Sequence, residues 1–205
     1  MFQFTWRDAL SLVWDRLVPR LDAEGRNEMI LRAACVAVLA TVVAGLEIQI
    51  EGAHGWAGEL PCWRPEGHEW YARLWDAAMG GKPMTGYHVF AFALWNLLFF
   101  IPFCFGVKIT WSRAAEALMW SHLLAVLEDF LWFVWNPHYG LGRFAPEHIW
   151  WHADWWGPVP SDYPLMLLRV LVLAAFAPRG LRGAGLAIGL LGIIAAVEVV
   201  AAALL

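Results

Sequence analysis

Residues 29–52 read MILRAACVAVLATVVAGLEIQIEG, an apolar run with one arginine near its start and two glutamates near its end. A helix of about 20 such residues crosses a hydrocarbon core of roughly 30 Å. The run therefore predicts a transmembrane helix that carries acidic side chains close to one membrane face.

The composition of the chain agrees with this prediction. Of its 205 residues, 60% are hydrophobic, 16% are charged and 15 are tryptophans, and the mean hydropathy is +0.54. Soluble domains carry about 25% charged residues. The net charge of −4 and the absence of a basic run exclude nucleic-acid binding, and three widely spaced cysteines without a C-x-x-C pair indicate no disulfide framework or zinc knuckle. We predict an all-α integral membrane protein, a single transmembrane domain over residues 1–205.

Five apolar stretches predict five transmembrane helices. An additional N-terminal segment, residues 5–18, places Trp6, Leu10 and Trp14 on one helical face and charged residues on the other, which is typical of a helix lying in the membrane interface. Two long Trp-rich loops connect the first span to the second and the third to the fourth. The predicted spans are 29–52, 87–107, 111–135, 163–178 and 183–205.

The basic residues predict the orientation of these spans. If the N-terminus is cytoplasmic, nine basic residues fall on the inner side and four in the outer loops, which agrees with the positive-inside rule. The inner residues are Arg7, Arg16, Arg20, Arg26, Arg32, Lys108, Arg113, Arg179 and Arg182, and the outer ones are Arg64, Arg73, Lys82 and Arg143. We therefore expect a cell-membrane protein whose long loops lie outside, folded on the membrane surface as a lid.

Ionisable residues gather at the predicted outer ends of the first three spans. Glu47, Glu51 and His54 are spaced i, i+4 and i+7, so they share one face if the first helix continues through Gly52. Charges inside a membrane are costly and are kept where they pair, bind an ion or line a pathway. The other members of this outer set are His88, Glu128, Asp129 and His138, together with His148 and His152, whose i, i+4 spacing would place them on one helical face.

Imidazole combined with carboxylate oxygens is the ligand set of catalytic transition-metal and zinc sites. Glu51-x-x-His54 also has the spacing found in helical di-metal carboxylate proteins, a match of ligand chemistry only. Whether one metal or two would bind stays open. Hydrogen bonding or protonation of the carboxyl groups is the alternative explanation. We predict as metal ligands Glu47, Glu51, His54, His88, Glu128, His138, His148 and His152, with Asp129 and Glu128 as catalytic groups.

These features predict a membrane-embedded metal-dependent enzyme acting on a lipid-like or other hydrophobic substrate. The mixed ligand set favours iron and oxidative chemistry over zinc and hydrolysis, with manganese and copper as further candidates. A divalent-metal carrier or sensor is an alternative, although the apolar inner halves of the spans disfavour conduction, and a structural subunit of a membrane complex is another. Besides lipids, a second copy of the chain is a predicted partner through the G-x-x-x-G face at Gly185 and Gly189.

Overall fold

The computed structural model describes residues 6–204, with side chains from residue 10. These residues form seven α-helices, of which α2, α4, α5 and α7 are long and apolar enough to cross a membrane. The mostly helical fold and the membrane character expected from the sequence are confirmed at this level. The helices are α1 (Trp6–Leu17), α2 (Ala23–Glu51), α3 (Trp70–Ala78), α4 (Gly86–Cys104), α5 (Trp111–Trp135), α6 (Asp162–Ala174) and α7 (Gly180–Leu204).

Local capping groups explain why the helix ends differ from the predicted ones. α2 begins at Ala23 rather than at residue 29 because the Asp22 side chain accepts a hydrogen bond from Gly25 N at 2.7 Å. α4 begins at Gly86, after the capping residue Thr85, and ends at Cys104 rather than at 107, just after Pro102. α5 has the predicted bounds, whereas α7 begins three residues early, at Gly180 rather than at 183.

The largest difference between the predicted and the observed helices is at the fourth predicted span, 163–178. The helix there, α6, has 13 residues and is about 20 Å long, which is shorter than the hydrocarbon core. The first long loop also contains a short amphipathic helix, α3, that was not predicted from the sequence. Residue 5, the predicted start of the interfacial helix, and residue 205, the predicted end of the last span, lie outside the described residues.

The centre of the bundle is α5, which packs against α2, α4, α6 and α7. Small side chains on α2 allow close approach, and the buried residues Ala33, Ala37, Ala40 and Ala44 recur at three- and four-residue intervals along one face. Gly185 and Gly189 instead have no neighbour within 4 Å of where a Cβ would stand. Their face is therefore not packed against α6, and the predicted contact with a second copy remains a prediction.

The two long loops are fastened to each other over the ends of α2 and α5. Asn136 Nδ2 donates to Gly52 O at 2.9 Å, and Tyr139 OH donates to Ala53 O at 3.1 Å. A Cβ on Gly55 would stand 2.1 Å from the Trp151 ring, so only glycine permits this approach. The second loop also holds a two-stranded antiparallel ribbon, β1 (Trp155–Trp156) and β2 (Val159–Pro160). The loops form the lid that the tryptophan clusters predicted, with Trp56 and Trp151 buried in it.

The opposite end of the bundle is closed by a charged cluster. Arg32 Nη1 lies 3.0 Å from Glu116 Oε2, Arg179 Nη1 lies 2.7 Å from Glu116 Oε1, and both arginines also pair with Glu28. These four side chains join α2, α5 and the start of α7. Because the carboxyl groups accept from both arginines, the cluster fixes three helices to one another at this end of the bundle.

Candidate functional site

A cavity of about 60 Å³ lies beneath the lid, between the C-terminal ends of α2 and α5, the start of α4 and the first turn of α6. Five carboxylate residues line it, against one lysine and one histidine. Its aromatic walls come from the lid, α4 and α5. The carboxylates are Glu47, Glu51, Glu128, Asp129 and Asp162, and the aromatic residues include Trp56, Phe92, Trp95, Trp132, Phe133, Trp151 and Tyr163.

A sharp reversal of the chain after α2 fixes Glu51. Gly52 has a φ of 58°, and Trp56 and Ala57 have φ values of 56° and 53° in the left-handed region that side chains other than glycine seldom adopt. The reversal places Ala57 N so that it donates to Glu51 Oε1 at 2.5 Å. Arg64 also donates to the carbonyl of Ala57. Strained backbone of this kind persists where surrounding contacts hold it, and it concentrates at functional sites.

His88 is held from both sides at the start of α4. Its Nδ1 lies 2.7 Å from Oγ1 of Thr85, the capping residue of that helix. The Trp56 ring stacks on the imidazole at a centroid distance of 3.8 Å and is itself fixed by a hydrogen bond from Nε1 to Pro83 O. The other ring nitrogen, Nε2, lies 3.5 Å from Glu51 Oε1. The ring therefore presents Nε2 to a buried carboxylate.

The second loop supplies another buried histidine, His152, whose ring is held by carboxylates that line the cavity. Its Nδ1 lies 3.0 Å from Asp162 Oδ2, and Lys82 Nζ lies 2.8 Å from that same oxygen. Its Nε2 lies 3.5 Å from Asp129 Oδ2, which also accepts a 2.5 Å hydrogen bond from Tyr163 OH. Burial disfavours the charged imidazole, but the Asp129 and Asp162 carboxylates outweigh burial, and the pKa of His152 is raised above its usual value.

Glu47 and Glu128 also line the cavity. Their carboxyl groups face each other, with the Tyr87 hydroxyl beside Glu47. Both side chains are buried, Glu128 with only 3% of its surface exposed. One oxygen of each, Oε1, has no hydrogen-bond partner among the described residues, and neither has Nε2 of His152. A buried polar atom without a partner costs free energy, so this arrangement calls for a proton or a cation.

The structure brings together five of the eight predicted metal ligands. Glu47, Glu51, His88 and Glu128 line the cavity together with the predicted catalytic group Asp129, and His152 contacts Asp129 and Asp162 at its edge. Within residues 10–204, no three His, Cys, Asp or Glu side chains converge closely enough to hold a metal ion as they stand. Each histidine–carboxylate pair, His88 with Glu51 and His152 with Asp129, supplies two side chains.

Three predicted ligands lie elsewhere, for reasons of backbone geometry. The expected helical stacking of His54 on Glu51 is wrong because α2 ends at Glu51, and the exposed His54 ring lies 3.3 Å from Glu59 instead. The expected shared face of His148 and His152 is also wrong, because residues 145–148 form a turn and leave His148 exposed. His138 follows the end of α5 and is exposed as well.

Sequence reasoning missed Lys82, Asp162 and Tyr163. Lys82 counted only as an outer basic residue, yet it is 5% exposed, and its ammonium group lies over the Trp56 ring at 5.0 Å. Asp162 and Tyr163 open α6, at the depth where the other carboxylates gather. Their position at the first turn of a helix that follows a long outer loop was the available signal.

Comparison of the chain with protein-family models, with curated proteins and with solved structures found no match. The arrangement of side chains in the cavity is therefore what supports a functional assignment.

Proposed function

We propose that this protein is a membrane-embedded metal-dependent enzyme whose site is the carboxylate-lined cavity. One observation carries the proposal. Two imidazoles, His88 and His152, are each held through Nδ1 and each present Nε2 to a cavity carboxylate oxygen at 3.5 Å.

This arrangement is typical of metal-binding histidines. Such residues bind the metal through one ring nitrogen, while a hydroxyl, carbonyl or carboxylate group fixes the other. Ligands that lie about 2.1 Å from one metal stand about 3.0–3.4 Å apart at tetrahedral or octahedral angles. The two Nε2–oxygen distances of 3.5 Å are close to that separation. Each histidine–carboxylate pair therefore supplies two ligands of a metal.

Further ligands come from Glu47 and Glu128 in this proposal. Each has a buried carboxyl oxygen without a partner in the described part of the chain, and both line the cavity. After a change of side-chain rotamer, either carboxyl group would supply a further ligand to one of the pairs. The nitrogen and oxygen ligand set favours iron, followed by zinc, manganese or copper.

A metal bound here would supply Lewis-acid or redox chemistry. The residues of the chain would perform the other tasks. Tyr163 donates a 2.5 Å hydrogen bond to Asp129, and its hydroxyl group would give or receive a proton at the reacting atom. The aromatic walls exclude water and accept an apolar group. Because the cavity is only about 60 Å³, just the reacting end of a hydrophobic substrate would enter it.

The position of α6 supports five membrane crossings, with the cavity on the outer side. Its first residue, Asp162, contacts Lys82 at the cavity, and Arg179, shortly after its end, joins the charged cluster at the other end of the bundle. Residues 162–179 therefore run the depth of the bundle although the helix itself is short. With the N-terminus inside, as the basic residues favour, α1 would lie in the inner interface, where Leu10, Val13 and Trp14 are exposed.

Cysteine labelling tests this topology. In a chain whose three cysteines are replaced by alanine, Leu60→Cys and Ala145→Cys are expected to react with a membrane-impermeant maleimide in intact cells, because both lie in the outer loops. Lys108→Cys, in the connection between α4 and α5, is expected to react only after permeabilisation. The reverse pattern would contradict the proposed orientation.

Asp162→Asn tests whether the carboxylate positions His152. Because Asp162 fixes Nδ1 of His152, we expect metal affinity to fall about 10- to 100-fold. The melting temperature should fall as well, because the buried ammonium group of Lys82 loses its carboxylate partner. Asp162→Glu should restore part of the affinity. The matched control is Asp154→Asn, an exposed acid in the same loop region, which should bind metal like the wild type. Unchanged affinity in Asp162→Asn would remove this residue from the site.

Metal-dependent stabilisation tests the function itself. Protein stripped with a chelator is expected to melt at a higher temperature when Fe²⁺, Zn²⁺ or Mn²⁺ is added, because an ion that binds only the folded state stabilises it. The ion with the largest effect would separate oxidative from hydrolytic chemistry. No shift with any of these ions at concentrations up to about 1 mM would contradict the proposal.

A further inference from the structure

A second, larger opening lies at the end of the bundle opposite the cavity. It is a groove of about 530 Å³ between the inner halves of α2 and α4, with α5 as its floor. The groove exists because α4 packs chiefly against α5 and leaves a gap beside α2. Its volume falls within the range of sites that bind small organic molecules. Its walls are apolar, with Leu31 and Cys35 on α2 and Phe99 and Phe103 on α4.

Charge is concentrated at one end of this groove. Arg32 and Glu116 pair with each other there, so they leave little net charge. Arg113, at the start of α5, is exposed and donates to Lys108 O at 3.0 Å, but it has no carboxylate partner among residues 10–204. The groove is thus apolar along its length and cationic at its mouth.

We propose that the groove binds an anionic phospholipid from the membrane leaflet at this face. Its phosphate would accept hydrogen bonds from Arg113, because guanidinium groups match phosphate oxygens in charge and geometry. An acyl chain would lie between α2 and α4. Like the groove, a phospholipid is charged at the membrane surface and apolar toward the interior of the membrane. This proposal rests on the membrane fold and is independent of the metal site.

Native mass spectrometry with two synthetic lipids tests the proposal. Detergent-purified protein is titrated with phosphatidylglycerol, which is anionic, and with phosphatidylcholine, which is zwitterionic. We expect the wild type to bind phosphatidylglycerol about tenfold more tightly, and Arg113→Gln to lose that preference, since one charged hydrogen bond is removed. Arg182→Gln, which removes another exposed arginine from the same end of the bundle, is the charge control and should keep the preference.

A second variant fills the groove without changing its charge. Cys35→Trp places a large ring at an exposed position on the wall and should weaken the binding of both lipids at least tenfold. Cys104→Trp, at an exposed position outside the groove, should leave both affinities unchanged. The proposal is overturned if wild type and Arg113→Gln show the same relative affinities for the two lipids, or if Cys35→Trp has no effect on lipid binding. It is also overturned if these variants instead dissociate a dimer, because a second copy would then cover the groove.

Discussion

Glu128→Gln is expected to abolish metal binding while leaving the fold intact. Glu128 lines the cavity with Glu51, His88 and Asp129, and its Oε1 atom has no partner in the described chain. The amide of glutamine keeps the shape of the side chain but lacks the negative charge that a metal requires. We expect metal affinity to fall at least about 100-fold, beyond the usual effect of losing a group that only orients a ligand. Equilibrium titration of the stripped protein measures this change.

The melting temperature of the metal-free Glu128→Gln protein should not fall. A buried carboxylate among other carboxylates costs free energy, and its replacement by a neutral group of the same size removes that cost. A variant that keeps metal affinity within about threefold of the wild type would show that Glu128 is not a ligand. Glu47→Gln is expected to behave in the same way, because Glu47 faces Glu128 and has the same unpartnered oxygen.

Glu116→Gln is expected to show the opposite combination, with metal binding kept and stability lost. Glu116 is a buried glutamate on the same helix as Glu128, but it accepts from Arg32 and Arg179 in the charged cluster. Removing one partner of a buried ion pair leaves the other charge without compensation and costs several kcal/mol. Because the Arg32 side chain is 36% exposed and that of Arg179 is 18% exposed, we expect a loss of about 2 kcal/mol.

For a chain of this length, that loss corresponds to a melting temperature lower by about 4–8 °C. Thermal unfolding in detergent measures the change in melting temperature. The two α5 variants, Glu116→Gln and Glu128→Gln, serve as controls for each other. If Glu116→Gln melts like the wild type, the charged cluster does not hold the helix ends together. If it loses metal, the two ends of the bundle are coupled, and the assignment of separate roles to them is wrong.

The membrane helices could be predicted from the sequence because their signal is local. Apolar runs of sufficient length give α2, α4, α5 and α7, and α5 begins and ends where the sequence indicated. The ends of the others depend on single capping groups such as Asp22. α6 was harder to predict, since a 13-residue helix between a long loop and a tight turn has no clear length signal. α3 is shorter still and lies within a loop.

The sequence predicted those residues of the candidate site that are ionisable and lie on regular helices. Glu47 and Glu51 on α2 and Glu128 on α5 reach the cavity because helix geometry carries them there. The prediction failed for His54, since the reversal at Gly52 is a property of the backbone that the spacing of side chains cannot reveal. The burial of Lys82 at the site could not be predicted from the sequence for a different reason. Its burial depends on the folding of two loops over the bundle, which brings together residues far apart in sequence.

The measurement that tests the central claim most directly is elemental analysis of the wild-type protein. The full chain is purified in detergent, incubated with Fe²⁺, Zn²⁺ and Mn²⁺ together, freed of loosely bound ions and analysed beside Glu128→Gln and Glu116→Gln. We predict about one or two transition-metal ions per chain in the wild type and in Glu116→Gln, and fewer than about 0.1 in Glu128→Gln. A wild-type protein that retains none of these ions would contradict the account.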